Sequence, residues 1–255
     1  MADTIRKFNR FELKYILSLE QVRDLKKDLE NFVVPDPHWK WEAYILSSLY
    51  YDSPDYRFYW EKIEWLKFRR KLRIRRYVTD EPLTDESTVF VEIKQRYDRV
   101  TQKRRVPMKY KDAKKLIEEE IIPEWYEDDI DTMNEILNLA KTYDLRPSAI
   151  TTYKREAFFW KDADIWLRIT FDYDVWYKQK NLDLADANPE WLMLPAKFVI
   201  LEIKANEKIP FWITELVAHH WIGLIRVSKY CQALETAKVF PKTVFNIEKQ
   251  LPKNK

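Results

Sequence analysis

Glycine is almost missing from this sequence: Gly223 stands alone among 255 residues, where average usage would supply roughly eighteen. A P-loop or a dinucleotide fingerprint needs several glycines, so that backbone N–H groups can approach phosphate closely. Neither is possible here, and any phosphate must be held mainly by side chains. Cysteine is as scarce. Cys231 alone rules out a disulfide within the chain, which fits a reducing compartment. No apolar run approaches the ~20 residues of a membrane-spanning helix, and the opening MADTIRKFNRF has no stretch resembling a secretion signal. These absences lead us to expect a cytoplasmic protein with no membrane span, leaving membrane-associated partners open. Charge of one sign is also lacking. Lys and Arg total 45 against 42 Asp and Glu, a net +3, so no globally basic surface is available to steer a nucleic-acid polymer. With no Gly/Ser linker and no low-complexity segment, residues 1–255 read as one domain.

What the chain does contain is an echo. FELKY at 11–15, FVEIKQ at 90–95 and ILEIKA at 200–205 each place Glu-x-Lys among apolar neighbours. Side chains at i and i+2 of a strand share a face, so Glu12 and Lys14 project together, as do Glu92 and Lys94, and Glu202 and Lys204. The same alternation aligns Arg69, Lys71, Arg73 and Arg75 in RRKLRIRRY, Lys103 with Arg105, Tyr153 with Arg155, and Arg168 with Thr170 and Asp172. The opposite faces are apolar: Leu13, Leu72 and Ile74, Ile93, Leu167 and Ile169, Leu201 and Ile203. Between the strands lie amphipathic stretches. SLEQ has the shape of a capping box opening a helix to about residue 30. KDAKKLIEEEII, DDIDTMNEILNLAKTY, PFWITELVAHHWI and SKYCQALETAKVF are further helix candidates, and SPDYRFYWEKIEWLKF has a Ser-Pro helix start.

A sheet with one charged face has two readings. It can simply be wet, with cross-strand pairs worth a fraction of a kcal/mol each. Or helices can cover the apolar outside of a closed sheet, leaving a charged lumen. Six strands with this pattern, and several amphipathic helices to cover them, favour the second. Such a lumen would gather Lys14, Arg73, Arg75, Lys94, Lys103, Arg155, Arg168 and Lys204, a concentration of positive charge that demands an anion. Arg forks suit phosphate oxygens, and Lys adds point charge. The few acids, Glu12, Glu92, Glu202 and Asp172, would then hold Mg²⁺ or Mn²⁺, which is commonly shared between carboxylates and substrate phosphate.

In their order along the chain, FELK, LRIRRY, VFVEIKQR, YKREAF, LRITFD, VILEIK and SKY resemble the VTC domain, the polyphosphate polymerase branch of the triphosphate tunnel metalloenzyme (CYTH-like) superfamily. The resemblance implies an α+β fold built on a closed antiparallel eight-stranded β-barrel with helices packed outside. It also implies transfer of the ATP γ-phosphoryl group to polyphosphate or pyrophosphate with Mn²⁺ or Mg²⁺. Carried over by motif, Lys14 falls at the first-strand lysine, Arg73 and Arg75 at the paired arginines, and Lys94 and Lys103 at the hairpin lysines. Tyr153 and Arg155 match the tyrosine–arginine pair and Arg168 the lone strand arginine. Glu202 matches the metal-binding glutamate, Ser228 and Lys229 the closing serine–lysine, and Arg226 stands at a position that is often basic. Arg10 replaces the first acid of the Glu-x-Glu-x-Lys pattern that marks the hydrolytic and cyclase branches, which argues mildly against a two-metal triphosphatase. A hydrolase of triphosphate or nucleoside triphosphate, using the same pocket with water as acceptor, is the alternative. A non-catalytic polyphosphate- or nucleotide-binding module is the third reading.

Other eye-catching residues read as structural. Adjacent His219 and His220 point about 100° apart on a helix and cannot both grip one ion. Cys231 sits in an apolar helical pattern, a small buried hydrophobe. Trp60, Trp65, Trp212 and Trp221 have helix-face spacing suited to packing on the sheet.

Overall fold

In the computed structural model, residues 10–36, 43–98, 100–124, 126–161, 166–186, 188, 190–206 and 208–251 are described. Most of the KDAD stretch at 161–164 and of the PDPHWKW stretch at 35–41 lies outside them. Eight long strands form one antiparallel path: β1 (Arg10–Ser18), β3 (Tyr44–Asp52), β4 (Phe68–Val78), β5 (Thr88–Tyr97), β6 (Val100–Lys109), β7 (Arg146–Trp160), β8 (Leu167–Lys178) and β10 (Phe198–Asn206). Their spatial order is β1-β10-β8-β7-β3-β4-β5-β6. Short β2 (Val33–Pro35) adds to β7, and β9 (Trp191–Leu192) adds to β8. The helices are α1 (Leu19–Leu29), α2 (Arg57–Ile63), α3 (Tyr110–Glu118), α4 (Ile130–Tyr143), α5 (Phe211–His219), α6 (Lys229–Thr236) and α7 (Ile247–Gln250).

The sheet does not close by hydrogen bonding, which corrects the expected closed barrel. The ladder ends at β1 on one side and β6 on the other. The reason lies in the segment before α6. Leu224 bridges to Tyr15, and the Ile225 N–H donates to the Lys14 carbonyl at 2.8 Å. That segment occupies the edge of β1 that β6 would have needed. β6 itself is a poor partner, because Pro107 has no N–H to offer and Lys and Arg crowd the edge. The strand continues past Pro107 to Lys109 because only one of its edges is paired.

The apolar faces are buried under helices as the alternation requires. Leu17, Ile169, Phe171, Leu201 and Ile203 pack beneath α1 and α5, through Val22, Leu25, Ile213 and Val217. Leu72, Ile74, Val91, Ile93 and Val106 pack beneath α3 and α4, through Leu116, Ile117, Met133 and Ile136. A third cluster lies on the other side of the sheet. There Tyr230, Cys231 and Leu234 of α6 meet Leu46, Tyr50, Tyr153 and Ile200, so α6 packs on the concave, charged face and not outside. Cys231 is buried, as expected.

Scarce glycine has a visible consequence in the turns. Nine described residues, none of them glycine, adopt left-handed backbone, among them Trp65 (φ 58) after α2, Asp98 (φ 48) between β5 and β6, and Asp144 (φ 48) after α4. Asp tolerates this region better than most residues; a tryptophan there is unusual.

The entry to α1 is the capping box read from SLEQ. Ser18 Oγ accepts from the Gln21 N–H at 3.2 Å, Gln21 Oε1 accepts from the Ser18 N–H at 3.0 Å, and Gln21 Nε2 donates to the His220 carbonyl at 3.0 Å. Ser18→Ala is expected to cost about 1 kcal/mol and to lower the melting temperature by roughly 2–4 °C, measured by thermal unfolding.

Candidate functional site

Antiparallel pairing explains the Glu-x-Lys echo. In the β1–β10 register Glu12 lies opposite Lys204, and Lys14 opposite Glu202. Two copies of the same dipeptide pattern, run in opposite directions, match acid to base twice. The third copy is treated differently. Glu92 on β5 lies between Arg73 of β4 and Arg105 of β6, while Lys94 lies between Lys71 and Lys103. Here three lysines stand abreast and one glutamate serves the neighbouring row.

The side chains join into a continuous network on the concave face. Glu92, 2% exposed, accepts from Arg73 Nε at 2.7 Å and from Lys103 Nζ at 2.5 Å, with Arg75 Nη1 at 3.9 Å. Arg75 donates to Ser48 Oγ at 3.1 Å and to the Tyr153 hydroxyl at 3.0 Å. The Tyr153 ring carries Arg155 at 5.1 Å and Lys229 Nζ at 4.6 Å from its centroid. Arg155 forks onto Asp172 at 2.6 and 2.8 Å, and Lys229 reaches the same carboxylate at 2.5 Å and Glu202 at 3.3 Å. Glu202 also meets Lys14 at 3.3 Å and Lys204 at 2.9 Å. Lys14 then links to Glu12 at 3.0 Å, and Glu12 to Lys94 at 2.7 Å. That last pair brings β1 and β5 together by side chains where the backbone ladder is open.

The network holds its acids ionised. Burial would raise Glu12, Glu92 and Glu202, but the surrounding cations outweigh it and hold all three well below the usual carboxylate range. For Glu12 these are Lys94, Lys14 and Lys204; for Glu92, Arg73, Arg75 and Lys103; for Glu202, Lys14, Lys204 and Lys229. The cations divide into two groups. Burial would lower Lys14 and Lys229, but their carboxylate partners raise them. Burial lowers Lys103 to about 7 and Lys204 to about 8 despite their glutamates, with Arg73 and Arg75 adding to the effect on Lys103, and Arg155 and Lys94 to that on Lys204. Tyr50 is the reverse case. Burial would raise its phenol, yet Arg73, Lys71 and Arg75 bring it down to about 7, and Arg73 Nη1 donates to its oxygen at 3.1 Å.

Of the residues singled out from sequence, Lys14, Arg73, Arg75, Lys94, Lys103, Tyr153, Arg155, Lys204 and Lys229 belong to this one network, with Glu12, Glu92 and Glu202. Arg168 stands beside it, opposite Lys204 in register, and donates to Asp36 at 2.8 Å and to the Tyr44 hydroxyl at 3.1 Å. Ser228 caps α6, accepting from the Cys231 N–H at 3.3 Å and from Lys71 Nζ at 2.6 Å. The N-terminus of α6 thus adds its partial positive charge to the face. Arg226 is exposed and lies over the Trp65 ring at 4.3 Å. Asp172 has no exposure and both its oxygens are taken by Arg155 and Lys229, so it anchors cations and has no room for a metal. Glu92 is likewise fully engaged. Among the described residues no three His, Cys, Asp or Glu side chains form a metal cage. Glu12 and Glu202 are engaged on both oxygens as well, by Lys14 and Lys94 and by Lys14, Lys229 and Lys204, so a hard cation shared with phosphate oxygens would have to displace a lysine from them.

Sequence reasoning left Lys62, Lys71, Tyr50 and Tyr44 without a role in the site. Lys71 and Tyr50 had a signal, since each is tied to a residue already chosen: Lys71 shares a strand face with Arg73, and Tyr50 lies opposite Arg73. Lys62 sits at the end of α2 and had none. Two donors on β8, Arg168 Nε and Thr170 Oγ1, are buried without a hydrogen-bond partner among the described residues.

No helix among the described residues is long and apolar enough to cross a membrane. No curated protein matches the chain. Among solved structures the chain is similar to a Bacillus halodurans protein described as a "putative adenylate cyclase", with a TM-score of 0.48 and 13% identity over 88% of this chain and 96% of that one. It is also similar to the PH1819 protein of Pyrococcus horikoshii OT3, with a TM-score of 0.45 and 13% identity over 89% and 99%. The model of one family, the VTC domain, matches residues 9–238, nearly the whole length, and the chain belongs to that family.

Proposed function

We propose that the concave face binds a nucleoside triphosphate and a phosphate chain together, and transfers the γ-phosphoryl group of ATP to the chain. The observation that carries this reading is the charge left over once every ion pair is made. Glu12, Glu92, Asp172 and Glu202 are the acids that serve Lys14, Arg73, Arg75, Lys94, Lys103, Arg155, Lys204 and Lys229. So many cations in a partly desolvated space are tolerable only if a polyanion enters.

Phosphoryl transfer needs positioning and charge stabilisation more than covalent chemistry. A terminal oxygen of the acceptor chain attacks the γ-phosphorus. The bond from that phosphorus to the β,γ-bridging oxygen breaks, ADP leaves with the electron pair, and the chain is one phosphate longer. The attacking oxygen is already ionised, so no base is required. Arg73, Arg75, Arg155 and Arg168 neutralise the equatorial oxygens and the leaving group. Lys94, Lys103 and Lys229 hold the acceptor in line, with Lys14 and Lys204 flanking Glu202 between acceptor and nucleotide. Mn²⁺ or Mg²⁺ held by Glu202 and Glu12 would supply further charge neutralisation on phosphate oxygens.

A metal-dependent triphosphatase is the second reading, and Tyr50 favours it. A phenol brought down to about 7 is a group that could take a proton from attacking water. Incubation with ATP and Mn²⁺ separates the cases. Long phosphate chains resolved by electrophoresis, lost in Glu202→Ala, are the expected product. Free phosphate alone would make the protein a hydrolase, and ATP binding without turnover would make it a binding module.

A further inference from the structure

Next to the ion-pair network lies a cavity of about 330 Å³ whose charges are handled in another way. It opens between the end of α2, the start of β4 and the segment before α6. Lys62, Arg69, Lys71 and Arg226 line it around Trp65. In the network each lysine or arginine meets a carboxylate. Here none of these four forms an ion pair with a carboxylate among the described residues. Glu12 is the acid in the wall, and its oxygens are already taken by Lys14 and Lys94.

What keeps these cations together is the indole. Arg226 lies 4.3 Å, Lys62 4.9 Å and Arg69 5.6 Å from the Trp65 ring centroid. An aromatic face attracts cations through its quadrupole without neutralising them. A carboxylate in that place would compete with an incoming anion; a ring does not. The unmet charge is evident at the lysines. Burial, aided by the neighbouring Lys71 and Arg69, lowers Lys62 to about 7, and burial lowers Lys71 as well. The occupied indole also discriminates between ligands. With cations crowded around it, the ring has little to offer a stacked nucleobase, while the cations suit an anion with no aromatic part.

We propose that this cavity is a binding site for an inorganic phosphate chain, held by Lys62, Arg69, Lys71 and Arg226 on the Trp65 cushion. Lys14 and Lys94 line both the cavity and the network, so a chain seated here leads directly to the transfer site and serves as the acceptor. The acceptor role rests on the transferase reading; the affinity for a phosphate chain does not.

The test is a calorimetric titration of tripolyphosphate into protein saturated with the β,γ-imido analogue of ATP. In Lys62→Gln/Arg69→Gln, losing two charge-assisted contacts is expected to weaken tripolyphosphate at least about tenfold, with an unchanged melting temperature showing that the fold survives. Trp65→Phe keeps a ring and should bind like the parent, whereas Trp65→Leu should lose as much as the double variant. Parent-like affinity in both Lys62→Gln/Arg69→Gln and Trp65→Leu would overturn the proposal. So would variants that weaken ADP and spare tripolyphosphate, which would make the cavity a nucleotide site. If the parent makes no polymer from ATP yet the variants still lose tripolyphosphate, the cavity stands and the transferase reading falls.

Discussion

Arg75→Ala is expected to abolish turnover, by roughly 10³-fold or more, while the protein stays as stable as the parent or becomes more so. Arg75 is 8% exposed, and its hydrogen bonds go to the neutral oxygens of Ser48 and Tyr153. Its nearest acid, Glu92, is 3.9 Å away and is already held by Arg73 and Lys103. Removing Arg75 therefore leaves no carboxylate unpaired. It also relieves repulsion with Arg73 and Lys103, two cations that share Glu92. In the proposed transferase reading, what Arg75 supplies is charge for phosphate oxygens. The check is a paired measurement of melting temperature and ATP consumption. A variant that melts far below the parent would show that Arg75 is structural; one that keeps full activity would remove it from the site.

The charged face was legible in the sequence because strand periodicity is two. Once 11–15, 69–77, 90–95, 153–155, 167–172 and 200–205 are read as strands, the side on which each charge falls is fixed. The pairing of Glu12 with Lys204 and Lys14 with Glu202 depends on register, which local pattern does not contain. Closure of the sheet was read wrongly for a similar reason. Whether β1 meets β6 is decided by Leu224 and Ile225, far from β1 in sequence yet lying along its edge. The position of α6 was hidden by its composition. Tyr230, Cys231 and Leu234 suit the outside of a sheet as well as its inside, and only Lys229, reaching Asp172 and Glu202, betrays which. Lys62 and Trp65 belong to a helix end whose alternation says nothing about a cavity.

Asp172→Asn is expected to be the most damaging of the conservative changes to the fold. The side chain keeps its shape and loses its charge at a position with no solvent exposure. Arg155 and Lys229, both buried, would then share Glu202, at 3.8 and 3.3 Å, as their remaining acid. Breaking a buried pair from one side leaves an uncompensated charge and costs about 3–5 kcal/mol, or roughly 10 °C in melting temperature for a chain of this size. The pH dependence has a definite sign. Burial would raise the Asp172 carboxyl, but Arg155 and Lys229 hold it below its ordinary value. A depressed carboxyl contributes its stability above the unfolded value of about 3.9 and loses it as pH falls through the folded value. The gap between parent and variant should therefore be constant from about pH 6 to 8 and narrow on acidification below about pH 4. Tripolyphosphate should restore more stability to the variant than to the parent, because it brings negative charge to cations that have lost theirs. Thermal melts across pH, with and without tripolyphosphate, decide the matter: a loss of only a degree or two would mean that Glu202 alone suffices to hold Arg155 and Lys229 in place.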